Sequence, residues 1–256
     1  MKDGQIIIED ERLSKIGQFE LISIAPDDKA KFGNWSAKVS FTTSLRSGNS
    51  EEKDFGINAV LQRRTTKRRF YLDYHSDYRK INGITTSDNS RLNTFFDTFF
   101  SKRIFLRPVS LESYRDPLQN ISTRYTLGTS VGYHLLDNRK TTWDMTNGPA
   151  YQYTEFIDVP EGEENRSEDP AVVFSSHFDT KLTKRLDWKA TSTVQYASSA
   201  GMTYHVLSTL EYELTKVIDL DFTILWDRIE NPVRNEIGDL PGKDDFQMTV
   251  GIGIDL

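Results

Sequence analysis

From residue 35 onward the chain alternates apolar and polar positions. In the last segment Phe246, Met248, Val250, Ile252, Ile254 and Leu256 share one parity, while Gln247, Thr249, Gly251, Gly253 and Asp255 take the other. Successive side chains of a strand point to opposite sides, so this spacing predicts a strand with one apolar face and one polar or small face. Ile218, Leu220, Phe222, Ile224 and Trp226 oppose Asp219, Asp221, Thr223 and Asp227 in the same way. So do Leu186, Trp188, Ala190, Val194 and Tyr196 against Asp187, Lys189, Thr191, Thr193 and Gln195. Twelve segments carry the pattern: 35–46, 53–63, 68–78, 91–101, 103–114, 121–135, 141–154, 169–180, 185–197, 202–214, 217–228 and 245–256. Sustained helical spacing is missing past residue 34.

These segments run to about twice the usual strand length of about 5–6 residues. Strands of that length and alternation suit a closed barrel crossing a bilayer at a tilt. The connections agree. Those at 64–67, 101–102, 136–140, 182–184 and 214–216 are short, and they alternate with 48–53, 80–90, 115–120, 155–168, 198–201 and 228–244. Outer-membrane barrels sort their loops this way, with short periplasmic turns, longer outer loops and an even strand count. The expectation is an all-β transmembrane antiparallel barrel of about 12 strands over 35–256, with both termini periplasmic. Trp35, Trp143 and Trp188 near one end, and Trp226 near the other, read as interfacial girdles. Residues 1–34 read as a separate N-terminal periplasmic segment.

Composition narrows the chemistry. Zero Cys excludes a disulfide scaffold, thiolate metal sites and thiol catalysis. Net charge is −6 without a basic block, which argues against nucleic acid as a partner. The apolar run Ile6-Ile7-Ile8 is too short for a secretory leader, so the barrel reading expects export with the leader already removed.

By parity the lumen receives Asp73, Asp77, Asp97, Asp144, Asp179, Asp187, Glu211, Glu213, Asp219, Asp221, Asp227 and Asp255, against Lys38, Arg124 and Lys189. Charge of one sign in a narrow path favours counter-ions. Asp73, Asp97, Arg124, Asp144, Lys189, Glu211, Asp219 and Asp221 are therefore the candidate pore-lining residues. Twelve strands lie between the filled barrels of about eight and the open channels of 16–18, so alternation alone leaves an open and a plugged lumen both standing.

A catalytic site lacks a motif. His75, His134, His177 and His205 all take the polar parity on non-adjacent segments, and Ser175, Asp179 and Glu211 are the nearest partners for a hydrolase. Metal-ligand spacing such as H-E-x-x-H is absent, and neither cofactor nor metal is expected. Lumenal hydrogen bonding accounts for these histidines. The acidic loop residues Glu161, Glu163, Glu164, Glu168, Asp239 and Asp244 read as solvated outer loops ahead of a cation-bridged lipopolysaccharide contact.

Three stretches carry a family resemblance. Trp35 is followed by Ser47-Gly48-Asn49-Ser50, and Tyr114-Arg115-Asp116-Pro117-Leu118-Gln119-Asn120-Ile121 leads through Arg124 and Leu127-Gly128 to Gly132-Tyr133. The third is the terminal apolar strand. Together they resemble the salt-induced outer membrane proteins, a bacterial family of unknown function, over about 35–256. Leu256 stands where such proteins usually end in Phe, and Ser130 where the family often has another Gly. The resemblance implies a Gram-negative outer-membrane barrel that meets membrane lipids, lipopolysaccharide and the barrel-assembly machinery. Porin-like passage of small ions and a plugged stress-response barrel acting through its loops or N-terminal segment both fit it.

Overall fold

The side-chain alternation is realised as strands that pair only with their neighbours. The computed structural model describes residues 5–7, 15–17, 34–46, 51–198 and 200–256. Strands β1 (Gln5–Ile7) and β2 (Lys15–Gly17) form a small antiparallel ladder of their own. The rest of the N-terminal segment, and the predicted hairpin at 47–50, lie outside the described residues.

Twelve further strands follow: β3 (Trp35–Arg46), β4 (Glu52–Arg64), β5 (Arg68–Ile81), β6 (Ile84–Phe99), β7 (Ile104–Asp116) and β8 (Ile121–Asp137), then β9 (Thr141–Phe156), β10 (Arg166–Lys181), β11 (Leu186–Ala197), β12 (Gly201–Glu213), β13 (Ile218–Ile229) and β14 (Asp244–Asp255). Each pairs antiparallel with the next, and β14 returns to β3, closing a barrel. The closing seam is short, with Ile252, Gly253, Ile254 and Asp255 opposite Phe41, Ser40, Val39 and Lys38.

The strands are 12 to 17 residues long, more than the 9–11 that a tilted strand needs to cross a hydrocarbon layer. Their outward positions are large, apolar and exposed: Phe41, Leu127, Val131, Val172, Val250 and Ile252 stand at 46–60% of full exposure. A water-soluble monomer rarely shows so continuous an apolar surface. Aromatic side chains mark its short-turn edge. Phe178 packs edge-on between Trp143 and Trp188, with ring centres at 5.9 and 5.1 Å, and Trp35 does the same against Phe70 at 6.0 Å.

One predicted loop is absent. The polar stretch 80–90 is strand on both sides of a two-residue turn, Asn82 (φ 50°) and Gly83 (φ 83°). Both residues are left-handed, as a tight hairpin turn requires, and Asn-Gly is the pair that adopts it most readily. A register shift at Arg79/Lys80 accompanies it. Only 157–165 and 230–243 are therefore long among the described loops of that end.

Candidate functional site

The polar parity of each strand faces the lumen, and there the side chains form three charged assemblies. At the seam Lys38 lies across β14 to reach β13. Its Nζ donates to Asp219 and Asp221 at 2.9 Å each and sits 3.2 Å from Glu211, which also accepts from Lys189 at 2.6 Å. Ser40 adds a hydroxyl to Asp221 at 2.5 Å. The path exists because β14 has Gly253 beneath it: a Cβ there would stand 2.5 Å from Lys38 Cε.

The second assembly is at the short-turn end, on β5 to β9. Arg69 donates to Asp97 at 2.7 Å and to Asp144 at 2.6 Å, and Arg107 donates to Asp97 at 2.8 Å. His134 Nδ1 bonds the other oxygen of Asp144. Aromatic rings enclose the group, with the Arg107 guanidinium 3.5 Å over the Phe95 ring and that of Arg69 5.4 Å over Phe105. Buried guanidinium groups over ring faces gain cation–π attraction in addition to their ion pairs.

The third spans the lumen nearer the loop end. Arg91 on β6 donates to Glu112 on β7 at 2.7 Å and to Asp227 on β13 at 2.8 Å, and His205 Nδ1 lies 2.8 Å from the same Asp227 oxygen. Arg91 and Asp227 come from strands that do not pair, so this bond narrows the lumen. Directly above it are Tyr114, Ile121 and Ile229, all buried, with Arg124.

A cap closes over this level, and it is built by the segment that resembles the outer-membrane family. Asp116 ends β7 in extended conformation and accepts from the backbone N–H of Leu118 and Gln119, starting a single 3₁₀ turn at Pro117. Tyr114 Oη donates to the other Asp116 oxygen at 2.8 Å. Asn120 is left-handed (φ 61°), and its Nδ2 reaches the carbonyls of Asp158 at 2.7 Å and Arg234 at 3.3 Å. Its Oδ1 accepts from Asp158 N at 3.0 Å. One side chain thus fastens both long loops to the barrel rim.

The lumen between these groups holds a row of cavities, each sharing lining residues with the next. Two of about 350 and 360 Å³ at the short-turn end share Lys189, Glu211 and Asp255. The second shares Tyr71, Asp73, His177 and Thr191 with one of about 120 Å³. That one meets a gap of about 20 Å³ beside Arg91, which meets a last chamber of about 70 Å³ under the cap.

Of the residues singled out from the sequence, Asp97 and Asp144 sit in the arginine assembly and Glu211, Asp219, Asp221 and Lys189 in the seam network. Asp73 bonds Asn93 at 3.1 Å and lines the middle chambers, while Arg124 stands at the loop end. The lumenal bases are more numerous than the three expected. Arg69, Arg91 and Arg107 also point inward, and each answers acids that the count left unpaired. The parity of Arg69 and Arg91 was readable in 68–78 and 91–101, while a register shift after Arg107 breaks it in 103–114. Asp97 and Glu112 sit on neighbouring strands, and only Asp144 and Asp227 lie on strands far along the chain. The four histidines are lumenal neighbours of Asn58, Asp144, Thr191 and Asp227. Among the described residues no group of three acidic or histidine side chains is placed to hold a metal.

A closed antiparallel barrel with an apolar outer surface and a polar, ion-paired interior is the architecture of a membrane-spanning β-barrel. Residues 39–256 match the family described as a protein of unknown function, DUF481, and the chain belongs to that family. No curated protein matches it in sequence. Among solved structures it is similar to the NanC porin at 10% identity, covering 86% of this chain and 100% of that one, with a TM-score of 0.49. It is also similar to the translocator domain of the autotransporter NalP from Neisseria meningitidis, at 10% identity, 86% of each chain and 0.44. A porin refined at 1.8 Å follows at 7% identity, 87% and 99% coverage and 0.38.

Proposed function

We propose that this chain is a non-enzymatic barrel of the bacterial outer membrane that acts as a narrow passive pore, with its wide chambers toward the periplasm. The observation that carries this is the row of cavities from the short-turn end to the cap, large at the first end and smallest beside Arg91, each sharing lining residues with the next. The smallest cavity of the row is the gap beside Arg91, where side chains bond across the lumen. Short turns and both strand termini at one end fit the periplasmic side, and the long loops fit the outside. Lipid and lipopolysaccharide would contact the apolar exterior, and the assembly machinery the terminal strand.

Since the chamber of about 350 Å³ is lined by equal numbers of acids and bases, selectivity follows from the charge of the one of about 360 Å³. Asp73, Asp179, Glu211, Asp221 and Asp255 line it against Lys38 and Lys189, an excess that concentrates small cations. The test is planar-bilayer recording of the refolded protein under a KCl gradient. Discrete steps with a cation-directed reversal potential are expected, reduced when Asp179→Asn and Asp255→Asn are combined. Anion-directed steps would overturn the selectivity and keep the pore. A silent bilayer with folding confirmed by heat-modifiable gel migration would overturn the pore itself.

A plugged barrel acting through its loops is the second reading. It is favoured by the Asn120 staple, which holds both long loops over the narrow end. The same silent bilayer would select it.

A further inference from the structure

Arg124 is a buried lumenal arginine outside the three assemblies. It projects from β8 at 5% exposure, its Nε is buried without a partner, and among the described residues it has neither a hydrogen bond nor an ion pair. Its one contact of note is the Tyr114 ring, 5.7 Å from the guanidinium. Arg69, Arg91 and Arg107, buried at comparable depth, each touch carboxylates at 2.6–2.8 Å. The acids nearest Arg124 in the throat, Glu112 and Asp227, are already engaged by Arg91.

A buried charge whose hydrogen-bond donors go unmet is costly, and most side chains escape the cost by changing protonation. A guanidinium does not lose its proton. Glu112 and Asp227 match Arg91 and Arg124 in number, but both bond Arg91, so the donors of the Arg124 fork stay open to an acceptor from outside the chain, and there is room for one. Arg124 lines the chamber of about 70 Å³ under the cap, where about 10–15 Å³ suffices for one water. Gln119, on the same wall, has its Oε1 buried and unpartnered. Amide oxygen and nitrogen exchange places by a half-turn, so this group can present a donor to a ligand oxygen. The remaining wall combines Ile121, Phe156, Ile229 and Val233, which suit a carbon end, with uncharged polar side chains such as Gln152 and Asn231.

We infer that Arg124, Gln119 and this chamber form a binding site for a small organic monocarboxylate. The guanidinium fork meets the two carboxylate oxygens, the Gln119 amide donates to one of them, and the short alkyl end lies against the isoleucines. The site does not depend on conduction: a plugged barrel would hold the same ligand.

The test uses the refolded full chain in detergent, with sodium acetate exchanged for sodium chloride at constant ionic strength and the thermal unfolding midpoint followed. A saturable rise in wild type is expected, absent in Arg124→Gln. Arg124→Lys, which keeps charge and loses the fork, should need at least tenfold more acetate. Gln119→Ala leaves the buried charge in place and should weaken the response severalfold, so the site can be tested even where an Arg124 variant does not fold. No saturable rise in wild type would overturn the site, as would equal rises in wild type and the variants. A sulfate titration that saturates as acetate does would overturn the monocarboxylate class.

Discussion

Arg91 Nη2 lies 2.8 Å from Asp227 Oδ1, although β6 and β13 never pair and the two residues are 136 positions apart. The bond is a strut through the lumen, not a rung on the wall. It lies beside the smallest cavity of the row, and its geometry is supported from each side by Glu112 and His205. Breaking a buried pair at one member strands the other charge, whereas neutralising both leaves shapes nearly intact.

That asymmetry separates two variants. Arg91→Gln combined with Asp227→Asn keeps the size of residue 227, shortens residue 91, leaves Glu112 without its arginine, and removes the attraction that spans the lumen. Single-channel conductance should rise severalfold over wild type in the same bilayer. Arg91→Gln alone should instead lower stability by about 3–5 kcal/mol, the cost of an unpaired buried charge. Unfolding in urea measures the second effect; an unchanged conductance in the double variant would remove the strut as the constriction.

The seam offers a sharper stability test. The register of β14 on β3 covers four residue pairs, with one further bond from Leu256 N–H to the Ala37 carbonyl, so side chains must help to hold the barrel closed. Lys38 does this by bridging from β3 to Asp219 and Asp221 on β13. Lys38→Met leaves both carboxylates without their cation and should cost about 3–5 kcal/mol. Amide exchange at Gly253 and Ile254 should accelerate before that of the β8–β9 ladder. Lys38→Arg, which keeps the charge and the reach, should recover most of the loss.

How far the sequence could be read depends on the range of the interaction concerned. Alternation is a property of adjacent residues, so Phe246 to Leu256 announced a strand and its faces without any partner. The seam's Lys38 was assigned to the lumen by the same rule. Its salt links were not legible, because they depend on which strand closes the barrel and on Gly253 clearing the way. Arg69 and Arg91 fell in segments of readable parity, whereas the register shift after Arg107 breaks the alternation that would have placed it. The turn at Asn82-Gly83 was hidden in a polar stretch that looked like loop, although Asn-Gly was the available signal. Tyr114 to Asn120 stood out as a resemblance, yet its work as a cap emerges only when the distant Asp158 and Arg234 are beside it.

The apolar exterior can be tested by a single charge. Val250 is central in β14, opposite Phe222, and 59% exposed. If that surface meets hydrocarbon, Val250→Arg costs about 2–4 kcal/mol near the bilayer midplane. At an ordinary water-facing position the same change stays within about 0.5 kcal/mol. Urea unfolding from phospholipid vesicles should show the larger figure, and the smaller one would mean that the barrel does not span the membrane.

Asn120 decides how the loop end opens. Its left-handed backbone suits Asn better than most residues, and its amide alone reaches carbonyls of both long loops. Asn120→Ala removes every one of those side-chain bonds and places a Cβ-only residue in a strained conformation, at about 1–3 kcal/mol. The strands below do not depend on it, so the barrel should still close and still migrate as a folded species on an unheated gel. The loops at 157–165 and 230–243 should come free together. Limited proteolysis of refolded protein should therefore cut both at an increased rate in the variant, and cutting of one loop alone would show that they are held independently. Asn120→Gly, which accepts the backbone geometry but also lacks the amide, should behave like Asn120→Ala in proteolysis while losing less stability. That pairing isolates the staple from the strain: the side-chain bonds govern access to the cap, and the backbone conformation governs only its cost.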